Sequence, residues 1–268
     1  MSEQGVGTTE GRLAQPDWTT PWNRPWQGVG QPLWQTLGAG TPPTGAVAAG
    51  LNACAPPGVP VCFVPAAELP AGQAYEEFIA TRRAVPTRDN LHDAFNALVW
   101  LRLPRTKARL NALQAAEIAR DGVGATRGPV RDAVTVFDEN AALLHAPDAL
   151  WHALHERRWS DLFGPLRPLW SDARLLVFGH AALEKLMTPY KAITGHAWRI
   201  DTHFDPAGDL SALDERLACD LTPDRLAGKP FAPLPLLGVP GWWAANDVPG
   251  FYEDAQVFRP RRGVSALG

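Results

Sequence analysis

Cysteine is scarce in this chain, and no two cysteines are closely spaced. Only 3 of the 268 residues are cysteines, namely Cys54, Cys62 and Cys219. Three thiols cannot all pair with one another, and the absence of a close CxxC pair argues against a thiolate zinc site. The simplest interpretation is that the thiols are reduced, as is typical of cytoplasmic proteins.

Long apolar runs are also missing. The N-terminal stretch MSEQGVGTTEGR has no apolar core and no cleavage signature, so we expect no signal peptide. No segment approaches the roughly 20 apolar residues that a membrane-spanning helix needs. The sequence therefore predicts a cytoplasmic protein without a membrane partner.

The overall charge and the known nucleotide-binding motifs give no indication of a partner. The net charge of −3 provides no overall field for nucleic acid. A local basic patch at residues 102–109 could meet phosphate, although a solvated helix face is the commoner explanation. The motifs GxGxxG, GxxxxGK[ST] and GxSxG are absent. We do not expect nucleic acid as a partner, and the partner stays unknown.

Proline and tryptophan, in contrast, are abundant, with 26 and 11 residues respectively. Four of the tryptophans fall close together among prolines and glycines near the N-terminus: Trp18, Trp22, Trp26 and Trp34. Their spacing suggests a helix face, but Pro21 and Pro25 argue against a regular helix. We predict an extended arm over residues 1–40, whose tryptophans either anchor it to the main body or stack on a ligand or partner.

The remaining chain, residues 41–268, predicts a single globular α+β domain that is rich in helix. The apolar runs Ala133–Phe137 and Ala141–His145 predict two paired strands in a small sheet. Residues 222–268 are rich in proline and are predicted to be mainly loop. Long loops rich in proline and tryptophan are therefore expected at both ends of the chain.

One helix carries an unusual polar face. Asp89 is the predicted cap of a helix over Asn90–Arg102, and Pro104 begins the next helix. His92, Asp93 and Asn96 lie three and four positions apart and so leave one face of the first helix. Such a polar cluster on a mostly apolar helix needs partners if it is buried, which indicates a site.

Carboxylates and histidines recur at two further places. Asp138 and Glu139 follow the predicted strand, where they could bind a divalent ion, although a hairpin turn also explains them. His180 and Glu184 are four positions apart on one helix face, a spacing that can hold a metal or form an exposed pair. A fourth group could complete a metal shell: His196, Asp201, His203 and Asp205.

Four matching segments give the chain a resemblance to a mainly proteobacterial protein family of unknown function. These are NLHDAFNALVWLRLPRTKARLN, RDAVTVFDENAAL, FGHAALEKL and PLPLLGVPGWW, which together span roughly residues 75 to 245. The resemblance implies no activity, substrate or cofactor. A weaker likeness, carried by Asn90, Leu91, Trp100, Lys107 and Asn111, is to HNH-type nucleases, but the preceding β-hairpin with its histidine is not evident.

Two functions stay open at this point, so whether the chain is an enzyme is undecided. The first is a cytoplasmic binding or scaffolding protein without enzymatic activity, whose polar clusters are buried hydrogen-bond networks. The second is a metal-dependent hydrolase, for example a phosphoesterase or an HNH-like nuclease, in which a divalent metal activates water. Its predicted residues are His92, Asp138, His180 and Glu184 as metal ligands and Asp93, Asn96 and Glu139 as catalytic residues.

Overall fold

Short strands and longer helices alternate along the part of the chain that the computed structural model describes, residues 8–9, 12–38, 43–122 and 128–261. In these ranges the strands are β1 (Thr8–Thr9), β2 (Arg12–Leu13), β3 (Cys62–Pro65), β4 (Ala84–Thr87), β5 (Ala141–His145), β6 (Arg174–Val177), β7 (Thr194–Arg199) and β8 (Ala232–Pro235). The helices are α1 (Gln27–Leu37), α2 (Ala46–Cys54), α3 (Tyr75–Arg82), α4 (Leu91–Arg102), α5 (Pro104–Asp121), α6 (Pro129–Asn140), α7 (Asp148–His155), α8 (Trp159–Phe163), α9 (His180–Lys185), α10 (Ser211–Asp220) and α11 (Pro223–Ala227). The predicted fold class, a helix-rich α+β domain, is confirmed.

The main sheet has the strand order β6-β5-β7-β8. Its central strand β5 pairs with β6 in antiparallel and with β7 in parallel, so that Leu143 lies opposite both Leu176 and Trp198. The first four residues of β5 are buried, which explains its uninterrupted apolar sequence. Pro233 and Pro235 are tolerated in β8 because it is an edge strand.

The helix pair α4–α5 packs against α9 and α6, the helices that contact this sheet, and α4 also contacts α1. Asn90 caps α4, because its side chain accepts the backbone N–H of Asp93 at 2.8 Å. The predicted cap, Asp89, is wrong by one residue: its carboxylate instead accepts the N–H groups of Gly45 and Val47 at the start of α2. Pro104 begins α5, and Gly122 ends it with φ 73°, as expected.

The strand predicted at Ala133–Phe137 is wrong, since these residues belong to helix α6. Its β-branched valines and threonine favour a strand locally. The helix wins because Pro129 starts it and because Val130, Val134 and Phe137 fall at helical spacing and are all buried. Strand β5 does form as predicted, but its partners are β6 and β7.

Both chain ends contain more regular structure than predicted. The extended conformation is wrong for Gln27–Leu37, which form α1 even though Pro32 lies inside the helix. The C-terminal stretch predicted as loop contains α11 and β8. Residues 1–7, 10–11 and 39–40 of the predicted arm lie outside the described residues, and the boundary at residue 40 stays a prediction.

None of the described helices combines the length and the apolar character that crossing a lipid bilayer would demand.

Candidate functional site

A pocket of about 580 Å³ lies where α4, α6 and the start of α9 meet. Six of the seven residues predicted for a site line it: His92, Asp93, Asn96, Asp138, Glu139 and His180. The seventh, Glu184, contacts His92 across a separation of 92 positions in the sequence. The fold thus brings the three predicted clusters together, while their roles stay predictions.

Helix geometry explains how α6 contributes to this pocket. Arg131, Thr135 and Asp138 are separated by four and three positions, which places their side chains on one helix face. All three line the pocket. Part of α6, Ala133–Phe137, was predicted as a strand. Its helical conformation is what directs these three polar groups into the same pocket.

The start of α9 lies unusually close to the end of α6. A Cβ atom added to Gly179 would lie 2.4 Å from the backbone nitrogen and Cα of Asn140 and from the carbonyl oxygen of Glu139. Only glycine allows this approach. As a result the next residue, His180, is held beside Asp138, with 3.7 Å between its Nδ1 and a carboxylate oxygen.

Two imidazole rings meet at the centre of the site. Nε2 of His180 lies 3.1 Å from Nε2 of His92, and the ring planes are almost perpendicular, at 82°. On the far side of His92, Nδ1 lies 2.8 Å from Oε2 of Glu184. The side chain of His92 is 33% exposed and that of His180 only 6%, so a ligand in the pocket reaches His92 more easily.

The two rings differ in proton affinity. The hydrogen bond to Glu184 raises the pKa of His92 above its ordinary value, although burial opposes this effect. Burial lowers the pKa of His180 to about 4. His180 is therefore neutral near pH 7. A protonated His92 donates from Nδ1 to Glu184 and from Nε2 to His180, an assignment that satisfies both contacts.

A buried lysine neutralises Asp138. The Nζ atom of Lys107 contacts Oδ1 of Asp138 and also donates to Oδ1 of Asn96 at 2.7 Å. Burial alone would raise the pKa of Asp138, but the charge of Lys107 and its hydrogen bond hold that pKa below its usual value. Asp138 is thus ionised and already paired.

Asn96 connects Lys107 to Tyr75 through hydrogen bonds. The Nδ2 atom of Asn96 donates to the phenolic oxygen of Tyr75 at 3.1 Å. Burial raises the pKa of Tyr75 well above its usual value, so the phenol keeps its proton. Because its oxygen is the acceptor here, the O–H of Tyr75 is available to donate to a molecule in the pocket.

Asp93 and Glu139, both predicted to be catalytic, differ in their surroundings. The Asp93 carboxylate accepts the backbone N–H of Arg88 at 2.6 Å and two guanidinium N–H groups of the same residue at 3.0 and 2.9 Å. Its hydrogen-bonding capacity is largely used to fix the start of α4. Glu139 is half-buried and, within the described residues, makes no side-chain hydrogen bond or ion pair, which leaves its carboxylate open to the pocket.

The four predicted metal ligands do not form one coordinating group. Across the described ranges, no cluster of three or more His, Cys, Asp or Glu side chains is arranged to hold a metal ion. The donor contacts explain why: Lys107 occupies Asp138, and Glu184 faces Nδ1 of His92 rather than the Nε2 side that meets His180. A metal shell made of all four predicted residues therefore has no support from this geometry.

The fourth predicted group lies outside the pocket. The ring of His196 packs against Phe231, and the ring of His203 packs against His145. None of His196, Asp201, His203 and Asp205 lines the pocket. Their proximity in the sequence reflects the end of β7 and the loop after it.

The predicted basic patch at residues 102–109, at the end of α4 and the start of α5, is dispersed among structural contacts. Arg102 donates to the carbonyl oxygens of Pro206 and Gly208, and Arg109 to that of Leu221. Lys107 is buried. The surface that was to meet phosphate is therefore not assembled.

Three groups of the site were not predicted as metal ligands or catalytic residues. Tyr75 and Arg131 line the pocket, and Lys107 reaches it through its contacts with Asp138 and Asn96. Lys107 was assigned to a basic patch or a solvated face and Tyr75 was not singled out, because their partners Asp138 and Asn96 lie 31 and 21 positions away along the chain. Arg131 precedes the carboxylates of α6 by two turns, and its helical spacing to Asp138 was a usable signal once α6 was recognised as a helix.

The nuclease likeness also fails to find support. Strand β4, which precedes α4, pairs with β3 in parallel. In the described part of the chain, α4 is therefore not preceded by the antiparallel hairpin that the likeness requires.

Comparison with known proteins identifies the family only. The family model described as "Protein of unknown function (DUF3025)" matches residues 61–262. No curated protein and no solved structure matches the chain.

Proposed function

The chain belongs to the DUF3025 family, which carries no known activity, and we propose from the site alone that it is an enzyme. Its reaction moves a proton to or from a small polar molecule in the pocket between α4, α6 and α9. The observation that carries this proposal is the 3.1 Å contact between the Nε2 atoms of His92 and His180. Imidazole pairs in pockets are suited to general acid–base catalysis.

The division of roles follows from the partners of the two rings. Glu184 balances the charge of protonated His92 and fixes its Nδ1–H, so that the proton on Nε2 is the one that can be transferred. A substrate group that displaces His180 from this hydrogen bond receives the proton from His92. Before the substrate binds, His180, held neutral by burial, accepts this hydrogen bond at Nε2 and so holds the His92 proton in place. After the transfer, Nε2 of His92 regains a proton from the product or from water that reaches its exposed side.

Tyr75 and Glu139 complete the proposed site. The O–H of Tyr75 donates to a substrate oxygen, and Asn96 orients Tyr75 rather than the substrate itself. The unpaired carboxylate of Glu139 is placed to accept a proton from water or from a substrate hydroxyl. Asp93 acts indirectly by fixing the start of α4, on which His92 lies.

A metal-dependent hydrolase is the second candidate, and one distance favours it. Two imidazole nitrogens bound to one ion at about 2.0–2.1 Å each lie roughly 3 Å apart. The 3.1 Å between Nε2 of His92 and Nε2 of His180 fits that value when both rings are neutral. Glu184 would then hold the orientation of His92 through Nδ1, as carboxylates behind metal-bound histidines do.

Activity and metal content together distinguish these candidates. Protein purified without a metal-binding tag would be assayed on a panel of phosphate and carboxylic esters, with EDTA and with added zinc or manganese, alongside elemental analysis by mass spectrometry. For metal-free acid–base catalysis we expect turnover in EDTA that falls by roughly 10²–10⁴ in His92→Gln and His180→Gln. His155→Gln, at an exposed position, is the matched control.

Other outcomes assign the site differently. Stoichiometric metal in the wild type that is lost in His180→Gln, with activity abolished by EDTA, would support the metal-dependent hydrolase. Unchanged turnover in both histidine variants would contradict both enzymatic proposals. No turnover by the folded wild type on any substrate would favour a non-enzymatic binding or scaffolding role, in which the Lys107 network serves helix packing.

A further inference from the structure

Arg131 is a buried cation that has no close partner in the described part of the chain. It is 9% exposed, lies in the first turn of α6 and lines the pocket. Its Nε is buried and has no hydrogen-bond acceptor. Its contact with the carbonyl oxygen of Gly122 is long, at 3.5 Å from Nη1. A guanidinium offers five N–H donors, so most of its capacity is unused.

A buried charge without a partner destabilises the folded protein, so its presence in a pocket indicates a role in binding. Within the described ranges no carboxylate lies within ion-pair distance of Arg131. Burial raises the pKa of Glu76 on α3, and the charge of Arg131 is the smallest of the effects that oppose this rise. The Glu76 carboxylate accepts Nδ2 of Asn111 at 2.6 Å and Nε2 of Gln114 at 3.4 Å. Among the described residues, most Arg131 donors are therefore left for another molecule.

The other arginine of the pocket cannot take this role as readily. Arg88 donates from Nε and Nη2 to the Asp93 carboxylate. These are the two donors that a guanidinium would use to bind an anion in bidentate geometry. Its side chain is also 63% exposed, where an ion pair contributes little. Arg131 is buried and has no carboxylate partner among the described residues, and it is thus the stronger anion-binding group.

We propose that Arg131 binds an anionic group of the substrate, a carboxylate or a phosphate, at the end of the pocket opposite the histidine pair. This inference rests on the proposed function, because it names the substrate class of the same site. Arg131 precedes Asp138 by seven residues, about 10 Å along the helix axis at 1.5 Å per residue. The substrate therefore carries its anionic group several ångströms from the bond at which His92 acts.

Anion binding can be measured without knowing the substrate. Inorganic phosphate and malonate would be titrated separately into the full chain at low ionic strength by isothermal titration calorimetry. We expect one or both to bind the wild type, and Arg131→Gln to weaken the binding at least tenfold. Arg131→Lys should bind more weakly than wild type, since an ammonium lacks the planar fork. Arg24→Gln, exposed and away from this pocket, should leave binding unchanged.

The outcomes separate the anion site from the acid–base proposal. Binding of phosphate alone identifies a phosphate group, and binding of malonate alone identifies a carboxylate. The proposal is overturned if neither anion binds the wild type, or if Arg131→Gln and Arg131→Lys both bind as the wild type does. Should Arg131→Gln not fold, Arg131→Lys decides. His92→Gln should still bind the anion; if it does while its turnover is unchanged, the anion site stands and the acid–base proposal fails.

Discussion

Lys107 and Asp138 form an ion pair inside the protein, between helices α5 and α6. Their side chains are only 5% and 16% exposed. Neither charge has ready access to water, and Asn96 Oδ1 accepts a further hydrogen bond from Lys107 at 2.7 Å. The pair therefore supports both the packing of three helices and one wall of the pocket.

Removing the lysine should destabilise the protein strongly. Lys107→Met leaves the Asp138 carboxylate buried without its cation, so we expect a loss of about 3–5 kcal/mol in the free energy of unfolding. Urea unfolding followed by circular dichroism measures this loss. The control is Lys229→Met, which breaks the ion pair with Asp132 on the surface, where both side chains are about half exposed. That change should cost about 0–1 kcal/mol.

The double variant Lys107→Met/Asp138→Asn checks the cause. With both charges removed, the loss should be smaller than the sum of the two single losses, because no uncompensated charge remains. Strictly additive losses would show that the two residues do not stabilise one another.

His180 should make the protein sensitive to mild acid. Its pKa is about 4 in the folded protein, because of burial, against 6.5 for an ordinary histidine. The unfolded chain therefore binds more protons between these values, and stability should fall as the pH drops from about 6.5 to about 4, by on the order of 3 kcal/mol. His92, whose pKa is raised by Glu184, acts in the opposite sense: its contribution is present at low pH and lost as the pH rises through its folded pKa.

Urea unfolding at a series of pH values tests this assignment. In His180→Gln the fall in stability between about pH 6.5 and pH 4 should be much smaller, while His155→Gln should keep the wild-type profile. An NMR titration of the imidazole nitrogens provides the direct measurement. A His180 ring that titrates near pH 6.5 would refute the prediction.

Gly179 should be intolerant of any side chain. A Cβ atom at this position would lie 2.4 Å from backbone atoms of Asn140 and Glu139, and backbone cannot move aside as a flexible side chain can. We expect Gly179→Ala to cost about 1–3 kcal/mol, as overpacking does, and to displace His180 from His92. Gly28→Ala is the control, because Gly28 is helical with no atom within 4 Å of an added Cβ. Equal unfolding midpoints for the two variants would contradict this explanation.

Local spacing was enough to predict much of the site. His92, Asp93 and Asn96 share one face of α4, and His180 precedes Glu184 by one turn, so each cluster could be seen in the sequence. The convergence of α4, α6 and α9 could not be predicted from the sequence, because it depends on long-range packing such as the close contact at Gly179.

The main errors have equally physical causes. The β-branched run of Ala133–Phe137 favours a strand locally, but burial of Val134 and Phe137 on one helix face outweighs that preference. A solvated helix face was the commoner explanation for Lys107, because its partner Asp138 lies 31 positions later and no local pattern predicts that contact. Buried polar pairs of this kind are visible only in the folded structure.

The N-terminal tryptophans allow a last prediction, since they were expected either to anchor the arm or to bind a ligand. Trp34 on α1 donates from Nε1 to the carbonyl oxygen of Ala14 at 3.1 Å and packs against Phe95 of α4, with 6.2 Å between ring centroids. If it is an anchor, Trp34→Ala should lower the free energy of unfolding by about 3–5 kcal/mol. Tyr190→Ala, at a position 51% exposed, should change it little. Urea unfolding measures both. Since Phe95 lies one turn after His92 on α4, the Trp34 variant should also disturb the histidine pair, and a variant as stable as the wild type would favour the ligand-binding alternative.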